Sequence, residues 1–282
     1  YGLDVSFCSQ GVSPFLYSPE QVNHASAENA TLPKDLRRLV ELRERSPALA
    51  LCLQRIHFAE LPTVYPPTSQ AVFALAHWST PDDASLPTRL CLMKAWLIAF
   101  DLATIGLVVW LLRLAGWSTS LCVVYAWCPL LLKEVANSGH LDAIAVMFTT
   151  LAVTLAVRAL FTKQMSWAKA SVLSIASLLV LSLAIGAKLY PIVLLPMLLW
   201  SIARRGCSLY GVWRTVVTTA VAALLFSGAS LWILSPMFPN DLAFETPSQE
   251  VGNAPPIPPA DIFDVTEQDP SRGIETFLRH WE

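Results

Sequence analysis

Residues 118–161 read STSLCVVYAWCPLLLKEVANSGHLDAIAVMFTTLAVTLAVRALF, in which two apolar runs flank the polar break KEVANSGHLD at 133–142. Runs this apolar predict helices that cross a membrane. The break holds the only two acidic residues between positions 102 and 240, Glu134 and Asp142. Charged side chains cost roughly 2.5–3.5 kcal/mol each at the centre of an inserted helix, so they are rarely retained near apolar spans without a role. The break is therefore the first candidate for a functional site.

The composition indicates a multi-pass membrane protein. Of the 282 residues, 54% are hydrophobic and 14% are charged, with a mean hydropathy of +0.51, whereas soluble domains carry about 25% charged residues. No nucleic-acid partner is expected, because no basic stripe is interleaved with aromatic residues. The six cysteines show neither metal-ligand spacing nor a disulfide framework, so no metal site and no cofactor is predicted. The chain starts at Tyr1 without a methionine or signal sequence, and we expect at least one span upstream.

The hydropathy pattern predicts an all-α polytopic membrane protein with three regions. Residues 1–88 form an external loop with a short amphipathic helix near 32–53, and with an apolar stretch at 69–78 that is too short to span and is therefore interfacial or re-entrant. Residues 89–235 form a transmembrane bundle of about six helices, and residues 236–282 form an acidic, proline-rich external loop. The six spans are predicted at 90–112, 118–132, 143–161, 170–186, 190–203 and 215–234.

Basic residues predict which ends of the spans face the cytoplasm. Seven cations lie at alternate ends of the spans without an acid in the same loops, and the positive-inside rule places them in the cytoplasm. They are Arg113, Arg158, Lys163, Lys169, Arg204, Arg205 and Arg214. The opposite ends hold residues 1–88, the break, the turn at 187–191 and the tail from Pro236. The segments with chemical interest therefore fall on one non-cytoplasmic face.

Two lysines are exceptions to this charge rule, because Lys133 and Lys188 lie on the non-cytoplasmic side. One interpretation is that they bind the phosphate of an anionic ligand at the membrane edge. The other is that both are snorkelling lysines at helix ends. Their neighbours Glu134, His140 and Tyr190 favour phosphate binding.

The other side chains of the break also have alternative interpretations. Glu134 and Asp142 suit a base, ligands for sugar hydroxyls, or helix caps, and a carboxylate at Asp142 would meet the dipole of the next helix. His140 suits a donor to phosphate or sugar, or a solvated loop histidine. The sequence alone leaves these alternatives open.

Two further features lie outside the break. Tyr65-Pro66-Pro67 predicts a rigid turn before the 69–78 stretch, with substrate contact by Tyr65 as a secondary interpretation. Asp101 and Lys94 share one face of the first span, and an acid inside a membrane must face protein or a cavity. We expect Asp101 to pair with Lys94 or with a neighbouring span.

The order of motifs along the chain resembles the bacterial polyprenol-phosphate-dependent mannosyltransferase-like family of the GT-C glycosyltransferase superfamily. The motifs are Asp4, Gly11-Val12-Ser13-Pro14-Phe15, Tyr65-Pro66-Pro67, Lys133-Glu134, Ser138-Gly139-His140-Leu141-Asp142-Ala143, Lys188-Leu189-Tyr190-Pro191 and Arg279-His280-Trp281-Glu282. The resemblance covers nearly the whole chain. It implies a GT-C-like transmembrane helical bundle with a long helical first external loop, in a bacterial inner membrane, from which further spans are missing at both ends.

This resemblance implies transfer of a mannose-like hexose from a polyprenyl-phosphate-linked donor to an acceptor hydroxyl of a glycan or lipid, on the non-cytoplasmic face. Asp4 would be the catalytic base, and Lys133, His140 and Lys188 would neutralise the departing phosphate. The remaining substrate-binding residues would be Glu134, Asp142, Tyr190, Tyr65, Arg279 and His280. Two rival functions stay open, namely a lipid or solute transporter or flippase, and a catalytically inactive membrane scaffold.

Overall fold

The computed structural model describes residues 12–26, 32–45, 49–50, 53, 59, 61–81, 84–162 and 165–238. The chain divides into two compact units, Tyr1–Pro239 and Asn240–Glu282, and all of the described residues belong to the first. These residues form helices, turns and bends, with no strand among them. The predicted all-α class is therefore confirmed for the described part of the chain.

Eight α-helices and one irregular helical segment make up the described structure. The helices are α1 Pro19–His24, α2 Lys34–Arg45, α3 Pro67–Trp78, α4 Leu86–Ala115, α5 Asp142–Phe161, α6 Trp167–Ala187, α7 Leu195–Tyr210 and α8 Val212–Leu234. Short 3-10 turns, Tyr190–Leu194 and Ser235–Met237, precede α7 and follow α8. Between α4 and α5 lie the short helical pieces Thr119–Cys122, Val123–Ala126, Pro129–Leu131 and Leu132–Asn137, here called the bent segment.

Five helices, α4 to α8, are long and apolar enough to cross a membrane, α7 together with its preceding 3-10 turn. The sequence predicts six spans, and the second of them, at 118–132, is not one continuous helix, so there are six only if its two halves count as one broken span. The bent segment turns by 48° between Thr119–Ala126 and Pro129–Asn137. The cause is Pro129, which has no backbone N–H and disfavours helical geometry at the residue before it. Cys128 is accordingly extended, with φ −68° and ψ 116°.

The bent segment nevertheless runs back along most of α4. The Tyr125 hydroxyl donates to Asp101 Oδ1 at 2.8 Å, and Lys94 Nζ donates to the carbonyl of Asn137 at 2.6 Å. The expected pairing of Asp101 is thus confirmed with the neighbouring segment, whereas Lys94 takes another partner. The stretch of α4 from Lys94 to its end covers about 30 Å at 1.5 Å per residue, about the thickness of a bilayer core. The bent segment therefore has the extent of a sixth crossing.

The predicted fifth span, 190–203, is too short. The 3-10 turn Tyr190–Leu194 and α7 together give an apolar element, Tyr190–Tyr210, of 21 residues. Pro191 and Pro196 fall in its first turns, where a missing N–H is tolerated. Arg204 and Arg205 therefore lie inside the helix and near its end, where long cationic side chains reach the membrane boundary.

The centre of the bundle is α6, which packs against α5 on one side and α8 on the other. Small residues such as Ala152, Ala156 and Ala184 are buried at these contacts and let the backbones approach. Hydrogen bonds between helices replace those that lipid cannot provide. Ser177 Oγ donates to the carbonyl of Ala152 at 2.7 Å. Helix α4 packs on α5 and α7 on α8, at the flanks of this core.

The outer surface of the helices is apolar and carries tryptophans near both ends. Trp213 and Trp232, near the two ends of α8, are each 79% exposed. They are 19 residues apart, which is about 28 Å along a helix and close to the hydrocarbon thickness of a bilayer. Tryptophan is enriched at membrane–water boundaries. We therefore describe the protein as a multi-pass membrane protein.

The region before α4 contains the predicted helices and one that the sequence pattern does not suggest. Helix α2 confirms the amphipathic helix, with Leu36, Leu39 and Val40 buried. Helix α1 is additional, and it begins with a capping box in which Ser18 Oγ accepts from the Gln21 N–H. Apolar side chains of both helices form a small cluster of their own.

Helix α3 confirms a helix at the 69–78 stretch and lies across one end of the bundle. Ser69 Oγ donates to the carbonyl of Ala187 at the end of α6, at 3.0 Å. At the other end of α3, Trp96 Nε1 of α4 donates to Ser79 Oγ at 2.9 Å. Helix α3 therefore connects the last turn of α6 to the first part of α4. Whether it lies at a membrane interface stays a prediction.

Candidate functional site

The two ends of the bundle differ in charge. At one end, here called the arginine end, α4, α5 and α7 finish and α6 and α8 begin. The described cations there are Arg113, Arg158, Lys169, Arg204, Arg205 and Arg214, and Lys163 lies outside the described residues. The opposite end, here called the site end, is where α5 and α7 begin and α6 and α8 finish. It carries both acidic residues of positions 102–240, Glu134 and Asp142.

A single carboxylate connects the first group of predicted residues at the site end. Glu134 Oε2 lies 3.0 Å from His140 Nε2, and Glu134 Oε1 lies 3.9 Å from Lys133 Nζ. The three side chains are 33% to 55% exposed. Exposed ion pairs of this kind are worth about 0–1 kcal/mol, so a ligand with a stronger charge can displace them.

The backbone of the break explains this proximity and corrects one expectation. The sequence indicates a polar break between helices, but Lys133 and Glu134 lie in a π-helical turn, Leu132–Asn137, that ends the bent segment. The wider turn lets the His140 N–H donate to the carbonyl of Glu134 at 2.8 Å. This backbone contact also brings the side chains of His140 and Glu134 within contact distance. Isolated π-turns in helices are often found at functional sites.

Gly139 is required for the return of the chain to α5. Its φ is +70°, which side chains with a Cβ rarely adopt. It packs on α4, where a Cβ at this position would lie 3.6 Å from Lys94 Cγ. Lys94 Nζ in turn holds the carbonyl of Asn137. The loop that presents His140 is therefore fixed against α4.

A second ion pair brings together Lys188 and Asp142, which belong to different helices. Asp142 is the first residue of α5, and Lys188 follows the last residue of α6. The described partner of the Asp142 side chain is Lys188. Tyr190, two residues further on, lies within electrostatic range of the Asp142 carboxylate. Lys188 and Asp142 are 40% and 43% exposed and are open to a ligand.

Tyr65 lies beside these groups and has a packing role. Its ring meets Phe73 of α3 edge to face, with centroids 5.8 Å apart. It packs against the buried cluster that also contains Val135, Leu141 and Ala187, the neighbours of the charged residues. This shared apolar cluster places the two ion-paired groups at the same end of the bundle.

Helix α3 contributes polar groups that the sequence interpretation missed. Thr68 and Gln70 are buried, at 9% and 5% exposure, and within the described part of the chain Thr68 Oγ1 and Gln70 Oε1 have no hydrogen-bond partner. The Gln70 amide nitrogen donates to Thr63 Oγ1 at 2.9 Å, which fixes its orientation. The signal in the sequence is the triplet Thr68-Ser69-Gln70 at the start of an otherwise apolar stretch.

The structure places two ion-paired groups, Lys133–Glu134–His140 and Asp142–Lys188, at the same end of the bundle, with Tyr190 near Asp142 and Tyr65 on the apolar cluster that their neighbours share. Asp4, Arg279 and His280 lie outside the described residues. Within the described ranges, no three His, Cys, Asp or Glu side chains are arranged to hold a metal ion. The groups at the site end offer two ammonium groups, an imidazole and a phenol for an anion with hydroxyl groups.

The paired side chains at the site end are 33% to 55% exposed, so a ligand can reach them from outside the protein. The site end thus suits a ligand whose tail stays in the lipid, more than a small solute enclosed by protein.

No family model, curated protein or solved structure matches this chain.

Proposed function

We propose that the protein is a membrane glycosyltransferase of the GT-C type. It would transfer a mannose-like hexose from a polyprenyl-phosphate-linked donor to an acceptor hydroxyl of a glycan or lipid on the non-cytoplasmic face. The observation that carries this proposal is the placement of Lys133, His140 and Lys188 at one end of apolar helices whose other end holds the uncompensated cations. Under the positive-inside rule, that distribution would turn the site end away from the cytoplasm.

The charge of the donor changes in a way that the lysines would favour. A polyprenyl phosphosugar is a phosphodiester with one negative charge, and the departing polyprenyl phosphate is a monoester with nearly two. Cations near the phosphate therefore bind the leaving group more strongly than the donor, which is the condition for lowering the barrier. Lys133 and Lys188 each lie beside a carboxylate, Glu134 and Asp142, in exposed pairs from which a phosphate can take the lysine.

The acceptor oxygen would attack the anomeric carbon as the bond from that carbon to the phosphate oxygen breaks. The bond electrons leave with the phosphate, and the hydroxyl proton goes to Asp4 as general base. The hydroxyl groups of the sugar would meet carboxylate and phenol oxygens, with Glu134, Asp142 and Tyr190 as the available groups. Arg279 and His280 would contribute further contacts to the anionic donor.

The first test is sugar transfer by membranes that contain the full-length protein, supplied with polyprenyl-phosphate-linked hexoses. We expect Asp4→Asn to lower the rate about 10²–10⁴-fold, the usual contribution of a general base. We expect Lys188→Ala to lower the rate about 10–10³-fold, because the phosphate loses a positioned cation. The matched control is Lys169→Ala, which removes a lysine from the arginine end and should leave the rate unchanged.

Three outcomes would contradict the proposal. Full activity of Asp4→Asn would contradict the assignment of Asp4 as the base. Equal losses of activity in Lys188→Ala and Lys169→Ala would contradict the assignment of the site end as the place where the phosphate binds. Absence of transfer from every polyprenyl-phosphate hexose, in a protein that folds, would favour one of the rival functions.

One observation favours a transporter as the second candidate. The bent segment is a broken helix beside Asp101, and transporters build their sites from broken helices near the middle of the membrane. A transporter would depend on Asp101 and Tyr125, so Tyr125→Phe would abolish movement of lipid or solute into vesicles. A glycosyltransferase would keep its activity in that variant, once corrected for the amount of folded protein.

A further inference from the structure

The arginine end contains a small cavity, with a mostly apolar wall that also carries a few hydroxyl groups, that the proposed sugar transfer does not use. Its volume is about 20 Å³, which is enough for one water molecule. It lies between the first turns of α6 and α8 and the last turns of α7. The lining residues are Leu160, Trp167, Ala170, Ser171, Ser174, Ile202, Gly206, Tyr210, Thr215 and Thr218.

Two arginines contact residues that line this cavity. The Arg205 Nε donates to the carbonyl of Leu160, a lining residue, at 3.3 Å. The Arg214 guanidinium stacks on the ring of Trp167, another lining residue, with 5.5 Å to the ring centroid. A guanidinium carries five N–H donors, so both groups keep donors for a ligand. No acid of the sequence between positions 143 and 240 compensates them.

The hydroxyl groups in the wall differ in what they can donate. The hydroxyl hydrogens of Tyr210, Thr215 and Thr218 go to backbone carbonyls. The Thr218 hydroxyl already donates to the carbonyl of Arg214. In the 2.9 Å contact between Ser171 Oγ and Thr218 Oγ1, Ser171 is therefore the donor. Ser174 is different, since it is only 2% exposed and its hydroxyl has no hydrogen bond within the described part of the chain. Its hydrogen is therefore available to an oxygen in the cavity.

Two helix beginnings add to the positive potential. Neither α6 nor α8 has a side-chain cap at its start, so the first N–H groups of both helices lack a side-chain acceptor there. Unpaired N–H groups at a helix start attract anions. Together with the two guanidinium groups, they make the mouth of the cavity an electropositive position at the membrane boundary.

We propose that the mouth of this cavity is a phosphate-binding site, occupied by the headgroup phosphate of an anionic phospholipid. The phosphate lies at the mouth between Arg205 and Arg214, and one water in the cavity connects a phosphate oxygen to Ser174 Oγ. The cavity is too small for a headgroup, so the rest of the lipid stays outside the protein. Basic pockets between helices on the cytoplasmic side are where anionic headgroups bind other membrane proteins. Free phosphate has the same chemistry, and the experiment separates the two.

The test measures binding of phosphatidylglycerol, phosphatidylcholine and inorganic phosphate to the purified, delipidated full-length protein, by native mass spectrometry and by the shift in thermal unfolding. We expect phosphatidylglycerol to bind and to raise the unfolding temperature, with phosphatidylcholine and inorganic phosphate much weaker. The variant Arg205→Gln/Arg214→Gln should bind about 20-fold to 30-fold more weakly, because each cation near an anionic lipid contributes about fivefold.

The matched control is Arg113→Gln/Arg204→Gln, which removes the same charge from the same end but leaves the cavity intact. Ser174→Ala removes only the buried hydroxyl and should weaken binding by about fivefold, as for a lost hydrogen bond. Unchanged binding in Ser174→Ala, or equal losses in the two double variants, would overturn the proposal, because only the net charge would then matter. If inorganic phosphate bound as tightly as phosphatidylglycerol, the proposal that the bound phosphate belongs to a lipid headgroup would be overturned. Circular dichroism of each variant shows whether it has folded.

Discussion

At the scale of single residues, position within the fold decides which charged groups are available. Glu134 lies beside both Lys133 and His140, and Asp142 lies beside Lys188, so each of these three described basic side chains has a carboxylate partner. All of these side chains are at least one third exposed. Such pairs add little stability but hold long side chains near one geometry. A phosphate could take over the cations without unfolding any helix.

Gly186, near the end of α6, is the residue that allows α3 to pack closely on α6. A Cβ at this position would overlap Thr68 Oγ1 of α3 and Ile233 Cγ2 of α8. We expect Gly186→Ala to destabilise the protein by about 1–3 kcal/mol, the usual cost of overpacking. Thermal unfolding of the purified protein in detergent would measure this as a lower midpoint.

The control for this prediction is Gly228→Ala in α8, where no atom lies within 4 Å of the added Cβ. Because alanine favours a helix over glycine by about 0.5–1 kcal/mol, that variant should unfold at the same or a higher temperature. If Gly186→Ala and Gly228→Ala unfolded at the same temperature, that result would contradict the close packing of α3 on α6 at Gly186.

At the scale of elements, the bent segment depends on one polar contact inside the bundle. Its two halves are short, and Pro129 interrupts their backbone hydrogen bonds. Tyr125 compensates by donating to Asp101, 24 residues earlier in the chain. This bond also satisfies a carboxylate that would be costly to leave unpaired beside lipid.

We expect Tyr125→Phe to cost about 1–3 kcal/mol, because the Asp101 carboxylate loses its donor while it stays partly buried. Asp101→Asn should cost less, since the amide oxygen still accepts from Tyr125 and the charge is gone. Unfolding midpoints in detergent would rank the two variants. A larger loss for Asp101→Asn would show that the charge itself, and not the hydrogen bond, holds the segment.

At the scale of the whole molecule, charge divides the bundle into two ends. Arg158, Arg205 and Arg214 each stack on an aromatic ring at the arginine end, at 5.3, 5.7 and 5.5 Å from the ring centroid. These contacts keep the cations at the level of the aromatic side chains, where a membrane boundary would lie. At the site end, by contrast, Lys133 and Lys188 are paired with acids, and Lys94 donates to the carbonyl of Asn137.

This division predicts a topology that reporter fusions can check. A reporter enzyme that is active only outside the cytoplasm should be active after Gly139 and Lys188 and inactive after Gly116, Met165 and Gly211. Gly116 and Gly139 flank the bent segment, so their opposite results require that it crosses the membrane. Equal results at these two positions would make the segment re-entrant and would contradict the six-crossing arrangement.

Some elements could be predicted from the sequence because they depend on local composition. Helices α5, α6 and α8 extend the predicted spans by one to three residues at their starts. Twenty apolar residues with polar ends have few alternatives in a membrane, where backbone groups must bond within the segment. The bend at Pro129 could also be predicted, because proline disfavours a continuous helix. A prediction from hydropathy misses it, because one proline among apolar residues hardly changes the mean hydropathy. The capped α1 was missed because Ser18-Pro19-Glu20-Gln21 precedes too few apolar residues for a periodic signal.

The candidate site divides in the same way. The sequence indicated Lys133, Glu134, His140, Asp142 and Lys188 because charge is rare between positions 102 and 240 and is costly near lipid. It could not indicate that Lys188 pairs with Asp142, or that Thr68 and Gln70 of α3 are buried. Those contacts join residues far apart in the chain, and helix packing alone selects which of them meet.

The sequence by itself thus determined that this is a helical membrane protein with its polar groups gathered at the ends of apolar segments, because the cost of placing charge and unpaired backbone groups in lipid acts on each segment separately. The tertiary structure alone decided that α3 rests on Gly186, that Glu134 and Asp142 hold the site-end cations, and that Ser174 faces a cavity between two arginines. These features depend on side-chain volume and hydrogen-bond geometry between helices, which no single segment of the sequence contains.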